Sequence, residues 1–258
     1  MSADIRLAVG LIVLLAIALT ALTVAGVAQR RAVFTAALRA AVQLTIVAAA
    51  LRGVFAAPAT VIAAIAVMFT VATWTAARRL RGLADAGRAV VISCAAGSGV
   101  VIAVIVGLPT LDRNVRTLVA VSGIVIGASM TGATLMGRRL LDGLRRRRDE
   151  VEAWLSIGAT SREAVRAIAR DAVTEAMVPG LDQTRTVGLV TLPGAFVGAL
   201  LGGAGAAQAA KFQIVVLVGL LCTQAITTTL LAWLLGAPAH LPADPDADTG
   251  RRTASTST

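Results

Sequence analysis

Apolar residues in this chain come in long blocks and do not alternate with polar ones. Seven blocks run approximately over 7–28, 33–56, 59–77, 89–108, 116–136, 186–203 and 212–235. A bilayer core takes about 20 consecutive apolar residues in a helix, so the pattern predicts seven membrane spans, 186–203 being the shortest. The first block could be mistaken for a cleaved leader. Its apolar stretch exceeds a leader's length, and Asp4 offsets Arg6 ahead of it, so a retained helix is expected. The fold class expected is an all-α polytopic membrane protein.

Composition agrees and removes other classes. The 258 residues are 57% hydrophobic and 15% charged, with a mean hydropathy of +0.82. A soluble domain carries about 25% charged residues, so an ordinary soluble enzyme and a disordered chain both fall away. The net charge of +10 could suggest nucleic acid, but the arginines stand between apolar blocks. With no Tyr, 3 Trp and 5 Phe, nothing resembles a base-stacking platform; nucleic acid is not an expected partner, and membrane lipid is.

The arginines set the expected orientation. With the N-terminus outside, 29–32, 78–88, 137–185 and the tail face inward and hold 18 of the 24 Lys and Arg residues. N-out and C-in with an odd number of spans satisfies every loop, in a cell (inner or plasma) membrane. The transmembrane domain is expected over 1–235 and a disordered cytoplasmic tail over 236–258. The tail holds the only histidine, His240, read as solvated.

Residues 137–185 are too long for a simple connection. Arg145–Arg148 would lie at the anionic inner leaflet. Thr160 and Glu163 have capping-box spacing, followed by Ala164, Val165, Ile168, Ala169, Ala172, Val173 and Ala176 at helical intervals. Arg162, Arg166 and Arg170 form a basic stripe on another face, and Met177, Pro179 and Gly180 are expected to end the helix. A turn around Gly158 between two helices could carry force from a soluble partner into the bundle.

The chain carries no chemistry of its own. Its one lysine, Lys211, belongs to no GxxxxGK[ST] loop, so no ATP is expected to bind here and no catalytic group is expected. No cluster of His, Cys or carboxylates has ligand spacing, so no dedicated metal site is expected; Cys94 and Cys222 sit in apolar runs.

Arg39, with Gln43 one turn on, is an intramembrane charge; such residues usually face the bundle or water. Two readings stand: Arg39 snorkels to the interface, or the pair forms the cytoplasmic mouth of a pathway. Gln213 and Gln224 lie 11 positions apart, close to three turns, and either bond between helices or line that pathway. Gly194, Gly198 and Gly202, with Gly123 and Gly127, have the spacing of close helix contacts. Packing within one chain is the first reading and a homodimer interface the second. Pro193 is expected to mark a hinge.

Two resemblances rest on particular residues. Glu152-Ala153-Trp154-Leu155-Ser156-Ile157-Gly158-Ala159-Thr160 resembles the EAA loop by which ABC permeases dock their ATPase, with Trp154 in place of the second Ala. Ile168 fits the downstream pattern, while Arg170 and Asp171 stand where Leu and Pro would be. LSIGAT (155–160), IARDAV (168–173), Pro179, Asp182, TRTVGLVTLPG (184–194) and KFQI (211–214) are similar to the FetB family, as is ALRAAVQL (37–44). That family comprises permease subunits of Fet-type ABC exporters, with plant aluminium-tolerance relatives. In the fifth span SGIVIGASM (122–130) lacks the family's Asn near Ser129.

The resemblance implies a homodimeric permease served by two copies of a separate ATPase that holds ATP and Mg. Glu152, Gly158, Ala159, Thr160, Arg170 and Asp171 would form the docking element. It also implies iron or other metal export and protection from oxidative stress. Movement of a nucleotide sugar or other organic anion is the alternative, and a membrane regulator that only recruits an ATPase is a third.

Overall fold

Six of the seven apolar blocks become helices long and apolar enough to cross a membrane. The structure is a computed structural model describing residues 3–54, 58–108, 111, 114–238 and 240–241. Among the described residues the helices are α1 (Ala3–Val24), α2 (Arg30–Val54), α3 (Pro58–Arg79), α4 (Ala86–Gly107) and α5 (Val115–Arg146). They continue with α6 (Arg148–Ser156), α7 (Ser161–Thr186), α8 (Gly194–Leu201) and α9 (Ala206–Leu235). An all-α polytopic membrane protein is what the blocks require. Asp112, Arg113 and residues 242–258 of the expected tail lie outside the described residues.

The chain divides into two compact units, Met1–Thr60 and Val61–Thr258. In the first, α1 and α2 form a hairpin turned at Gly26, whose φ of +67° is left-handed. Its apolar side chains are almost all exposed, as lipid-facing residues are.

In the second unit α4, α5, α7 and α9 pack around two apolar clusters. The larger joins Leu80, Val90, Cys94, Met136, Leu140, Leu144, Val165, Ile168 and Leu231. The smaller joins Val101, Ile105, Val121, Val125 and Val216. At 32 residues α5 is about 48 Å long, longer than the roughly 30 Å hydrocarbon core. Residues 137–146, the start of the expected cytoplasmic segment, continue α5 as helix, with Leu140 and Leu144 in the larger cluster.

Two expectations are corrected. The block 186–203 is not one span, so the continuous apolar helices number six rather than seven. Gly188 turns left-handed at φ +82°, and its N–H donates to the Thr191 carbonyl at 2.9 Å in a bridge between Val187 and Thr191. Pro193, which lacks an N–H, then stands as N-cap of α8. Eight residues, about 12 Å of helix, cannot span a bilayer. Pro193 starts a short helix and does not hinge a long one.

The second correction concerns α7, which runs through Pro179 and Gly180 to Thr186. Proline removes one ladder bond. The next turn is retained by Gly180 packed against α9 and by the Thr184 hydroxyl donating to the Gly180 carbonyl at 2.8 Å. Arg162 at the start of α7 touches the Trp233 carbonyl, and Ala199 of α8 shares a cavity wall with Gln208 and Phe212 at the start of α9. Residues 161–201 thus run the length of α9 in two pieces.

Candidate functional site: a polar layer and an exposed turn

Between the two apolar clusters, three helices change character at the same level. On α4 the larger cluster ends at Cys94 and the smaller begins at Val101, with Gly97 and Ser98 between them. On α5, Ser129 and Gly132 lie between Val125 and Ala133. On α9, Thr223, Gln224, Thr227 and Thr228 lie between Val216 and Leu231. A polar layer about two turns deep, roughly 10 Å, is sandwiched between apolar plugs.

Glycines let the helices meet there. A Cβ at Gly97 would overlap the Thr227 hydroxyl and stand 2.8 Å from the Thr223 carbonyl. At Gly132 it would meet Thr228 Cγ2 at 3.3 Å, and at Gly180 it would overlap the Gln224 side-chain oxygen. So α4, α5 and α7 each bring a glycine to the same stretch of α9. A cavity of about 240 Å³ opens beside it, lined by Thr131, Pro179, Gly180, Gln183 and Gln224 among others.

Several hydroxyls here are satisfied locally. Ser98 donates to the Cys94 carbonyl at 2.6 Å, Ser129 to Ile126 at 2.8 Å and Thr228 to Gln224 at 2.8 Å. Other buried oxygens have no protein partner among the described residues: those of Ser122, Thr134, Thr223 and Thr227, and the side-chain carbonyls of Gln213 and Gln224. An unmet buried polar group costs about 1–3 kcal/mol. Three of the six, on Thr223, Gln224 and Thr227, lie in the polar layer, and the others lie at the levels of the two apolar clusters.

The two glutamines of α9 are both buried, at 5% exposure. Gln224 belongs to the layer, and Gln213 lies beside the smaller cluster near Val216. Arg39 and Gln43 lie one turn apart on α2 in the first unit, both exposed. Gly194 and Gly198 face open space, and α8 buries no residue. A Cβ at Gly202 would meet only its own helix's carbonyls, at 3.2 and 3.4 Å. Gly194 and Gly198 thus meet no close helix neighbour, while a Cβ at Gly123 of α5 would touch Met68 of α3 at 3.6 Å.

At one end of the bundle α6 and α7 form the expected helix–turn–helix. Gly158 has φ +91°, where a side chain would strain the backbone. Thr160 caps α7 with both halves of the capping box formed. The Thr160 backbone N–H, then its hydroxyl, and nearby Arg166 hold the Glu163 carboxyl below its ordinary range. Arg147, at the α5–α6 junction, clasps Glu150 at 2.7 Å and reaches Asp171 of α7 at 3.0 Å. That Glu150 contact holds the Glu150 carboxyl below its ordinary range as well. Arg139 of α5 pairs with Glu175 of α7 at 2.8 Å.

Glu152 pairs with Arg148 on the exposed side of α6. The sequence reading missed the apolar side chains around this turn: Trp154, Leu155 and Ile157 are 48, 39 and 75% exposed. Their position in an EAA-like loop outside the spans was the available signal. Arg170, expected at the docking element, lies farther along α7 on a groove shared with Arg162 and Arg166.

The model of the uncharacterised protein family UPF0014 matches residues 4–238. The chain belongs to this family. It is 33% identical over 200 residues to the UPF0014 membrane protein STAR2 of rice, covering 76% of this chain and 70% of STAR2. To the probable iron export permease protein FetB of Escherichia coli it is 29% identical, covering 76% of each. To the protein ALUMINUM SENSITIVE 3 of Arabidopsis thaliana it is 32% identical, covering 64% of this chain and 62% of that one. The resemblance to FetB read from the sequence is thus borne out, as is a multi-pass membrane location. No solved structure matches.

Proposed function

We propose that this chain is the permease subunit of an ABC-type transporter, exporting iron or another metal with energy from a separate ATPase, and that residues 161–201, running along α9 in two pieces, make the further crossing that an N-out and C-in orientation requires beside the six long apolar helices. The observation that carries the reading is the polar layer closed by an apolar cluster on each side, with an exposed helical turn at one end of the same helices. A solute crossing such a bundle meets oxygen ligands at mid-depth and an apolar barrier on either side. Alternating access then consists of parting one cluster while the other stays shut.

The chain's residues divide the work. Trp154, Leu155 and Ile157 around Gly158 supply the apolar knob for the ATPase, beside Glu152, Ala159 and Thr160. ATP and its Mg belong to that partner. Arg147–Asp171 and Arg139–Glu175 tie α7 to α5, so a push at the turn moves helices that carry the layer. Among the described residues no group of three or more His, Cys, Asp or Glu could hold a metal ion. The hydroxyl and amide oxygens of the layer suit brief coordination of a hard cation, and release matters as much as binding in transport. A homodimer would use the open glycine face of α8. The name of the FetB relative supports a metal cargo, with the link to oxidative stress resting on the resemblance.

Arg39, an exposed positive charge on α2, favours the second reading, an organic anion such as a nucleotide sugar, because an arginine attracts an anion and repels a bare cation. The deciding experiment reconstitutes the chain with its ATPase in proteoliposomes and follows iron against nucleotide sugars. ATP-dependent iron movement that stops with an ATPase-dead partner is expected. Movement of the sugar alone would keep the permease and change the cargo. Movement of neither, with ATP hydrolysis still coupled, would refute both cargoes and favour a recruiting regulator. Ile157→Asp should abolish stimulation of the ATPase while leaving the helical content intact.

A further inference from the structure

A groove of about 550 Å³ lies between the first half of α7 and the last two turns of α9. Its wall carries Arg162, Arg166 and Arg170, four residues apart and therefore about 6 Å apart along one face. Its floor is Ala169 and Val173 of α7 with Thr229, Ala232 and Trp233 of α9. The guanidinium of Arg162 lies 5.1 Å from the centre of the Trp233 ring and donates to the Trp233 carbonyl at 3.2 Å. Arg166 and Arg170 have no carboxylate within 4.0 Å among the described residues. The acid on this wall, Glu163, is engaged in capping Thr160.

The depth of the groove identifies its occupant. Trp233 is 60% exposed on the last turn of an apolar span, where indole rings sit at the membrane interface. Arg78 over Trp74, 5.3 Å from the ring centre, is a second arginine–indole pair, on α3. The arginines thus stand at headgroup depth above an apolar floor that continues into the span.

We infer that this groove is a binding site for the headgroup of an anionic phospholipid, with Arg166 and Arg170 taking the phosphate and the Ala232–Trp233 floor covering the first part of an acyl chain. Fork-shaped guanidinium donors match phosphate oxygens, and basic pockets beside membrane helices attract anionic lipid. A lipid seated there bridges α7 to α9, so bilayer composition would reach the coupling turn through α7. The inference rests on membrane location and is independent of the transport reading.

The test uses the full chain carrying Trp74→Phe and Trp154→Phe, so that Trp233 alone fluoresces. It is reconstituted in vesicles of phosphatidylcholine with brominated phosphatidylglycerol or brominated phosphatidylcholine, and quenching gives relative lipid affinity at the groove. A preference of about tenfold for phosphatidylglycerol is expected from two arginines near a surface. It should fall to near one with Arg166→Gln and Arg170→Gln, and survive Arg166→Lys with Arg170→Lys. Equal quenching by both lipids would overturn the proposal, as would loss of preference in the lysine pair. Abolition of the preference by millimolar inorganic phosphate would assign the groove to a free phosphoryl group and overturn the lipid.

Discussion

Glycines occupy opposite environments in two regions of this bundle. Gly97, Gly132 and Gly180 belong to no shared motif, lie on three different helices, and are where α4, α5 and α7 close upon α9. Gly194 and Gly198 have the spacing associated with helix contact and touch nothing. Spacing within one helix says only that a partner could come close. Whether one does depends on what faces it, and on α9 the facing residues are small hydroxyls that need room and bonding partners. In the layer, glycine makes room for polar side chains within the chain; on α8 it leaves a smooth exposed face.

The sharpest way to break this contrast is to fill the layer. Gly97→Ala places a methyl group against the Thr227 hydroxyl and the Thr223 backbone carbonyl, and the carbonyl cannot rotate away. A loss of about 2 kcal/mol or more is expected, read as a lowered thermal midpoint in detergent. Gly99→Ala, two residues away and facing open space, should not destabilise the chain. Equal midpoints for the two variants would show that α4 and α9 are not tightly apposed. Gly180→Ala meets the mobile end of Gln224, so it should cost nearer 1 kcal/mol while displacing the amide; slowed transport at nearly normal stability is the expected pairing.

This contrast also shows what the sequence could reveal. Long helices were legible because apolar blocks leave a chain in lipid no other backbone solution. The turn was legible because Gly158 and the Thr160–Glu163 box are local features whose physics is complete within four residues. The break at 186–193 was hidden: Val, Leu, Thr and Gly read as a span by hydropathy, and only the backbone shows Gly188 reversing the chain. Pro179 misled in the other direction, because packing of Gly180 on Gln224 outweighs one lost ladder bond. The polar layer was hidden too. Its Ser, Thr and Gly residues are individually unremarkable in membrane helices and become a layer only when three helices are aligned.

The turn offers a middle-sized test. Thr160→Ala removes the cap hydroxyl and should cost about 1 kcal/mol locally, seen as faster amide exchange at Glu163 and Ala164 without a change in the layer. Acid should act on the same cap. The Glu163 carboxyl is depressed in the folded chain, so its contribution is present above the unfolded value and is lost as pH falls through the folded one. Exchange at Thr160 should therefore rise as pH drops below about 4.5, after correction for intrinsic exchange. In Glu163→Gln, whose amide oxygen still accepts from the Thr160 N–H but does not titrate, that rise should be absent. A variant that follows the parent through acid would show that another group holds the turn.

The smallest effect on the single chain is expected where the motif is most conspicuous. Gly198→Leu adds a large side chain to an exposed face of α8 that meets nothing within 4 Å, so the stability should stay within about 0.5 kcal/mol of the parent's, with little change in the thermal midpoint. Proteins retain such smooth faces in membranes when another helix lies against them, and two copies of this chain would supply that helix to one another. The same substitution should then lower the dimer fraction in single-molecule photobleaching of liposomes at fixed protein-to-lipid ratio. A stable monomer with a lost dimer would assign the α8 glycines to association between copies. A destabilised monomer would return them to packing within the chain, contrary to the open face. An unchanged dimer with an unchanged midpoint would leave α8 facing lipid and place any interface elsewhere.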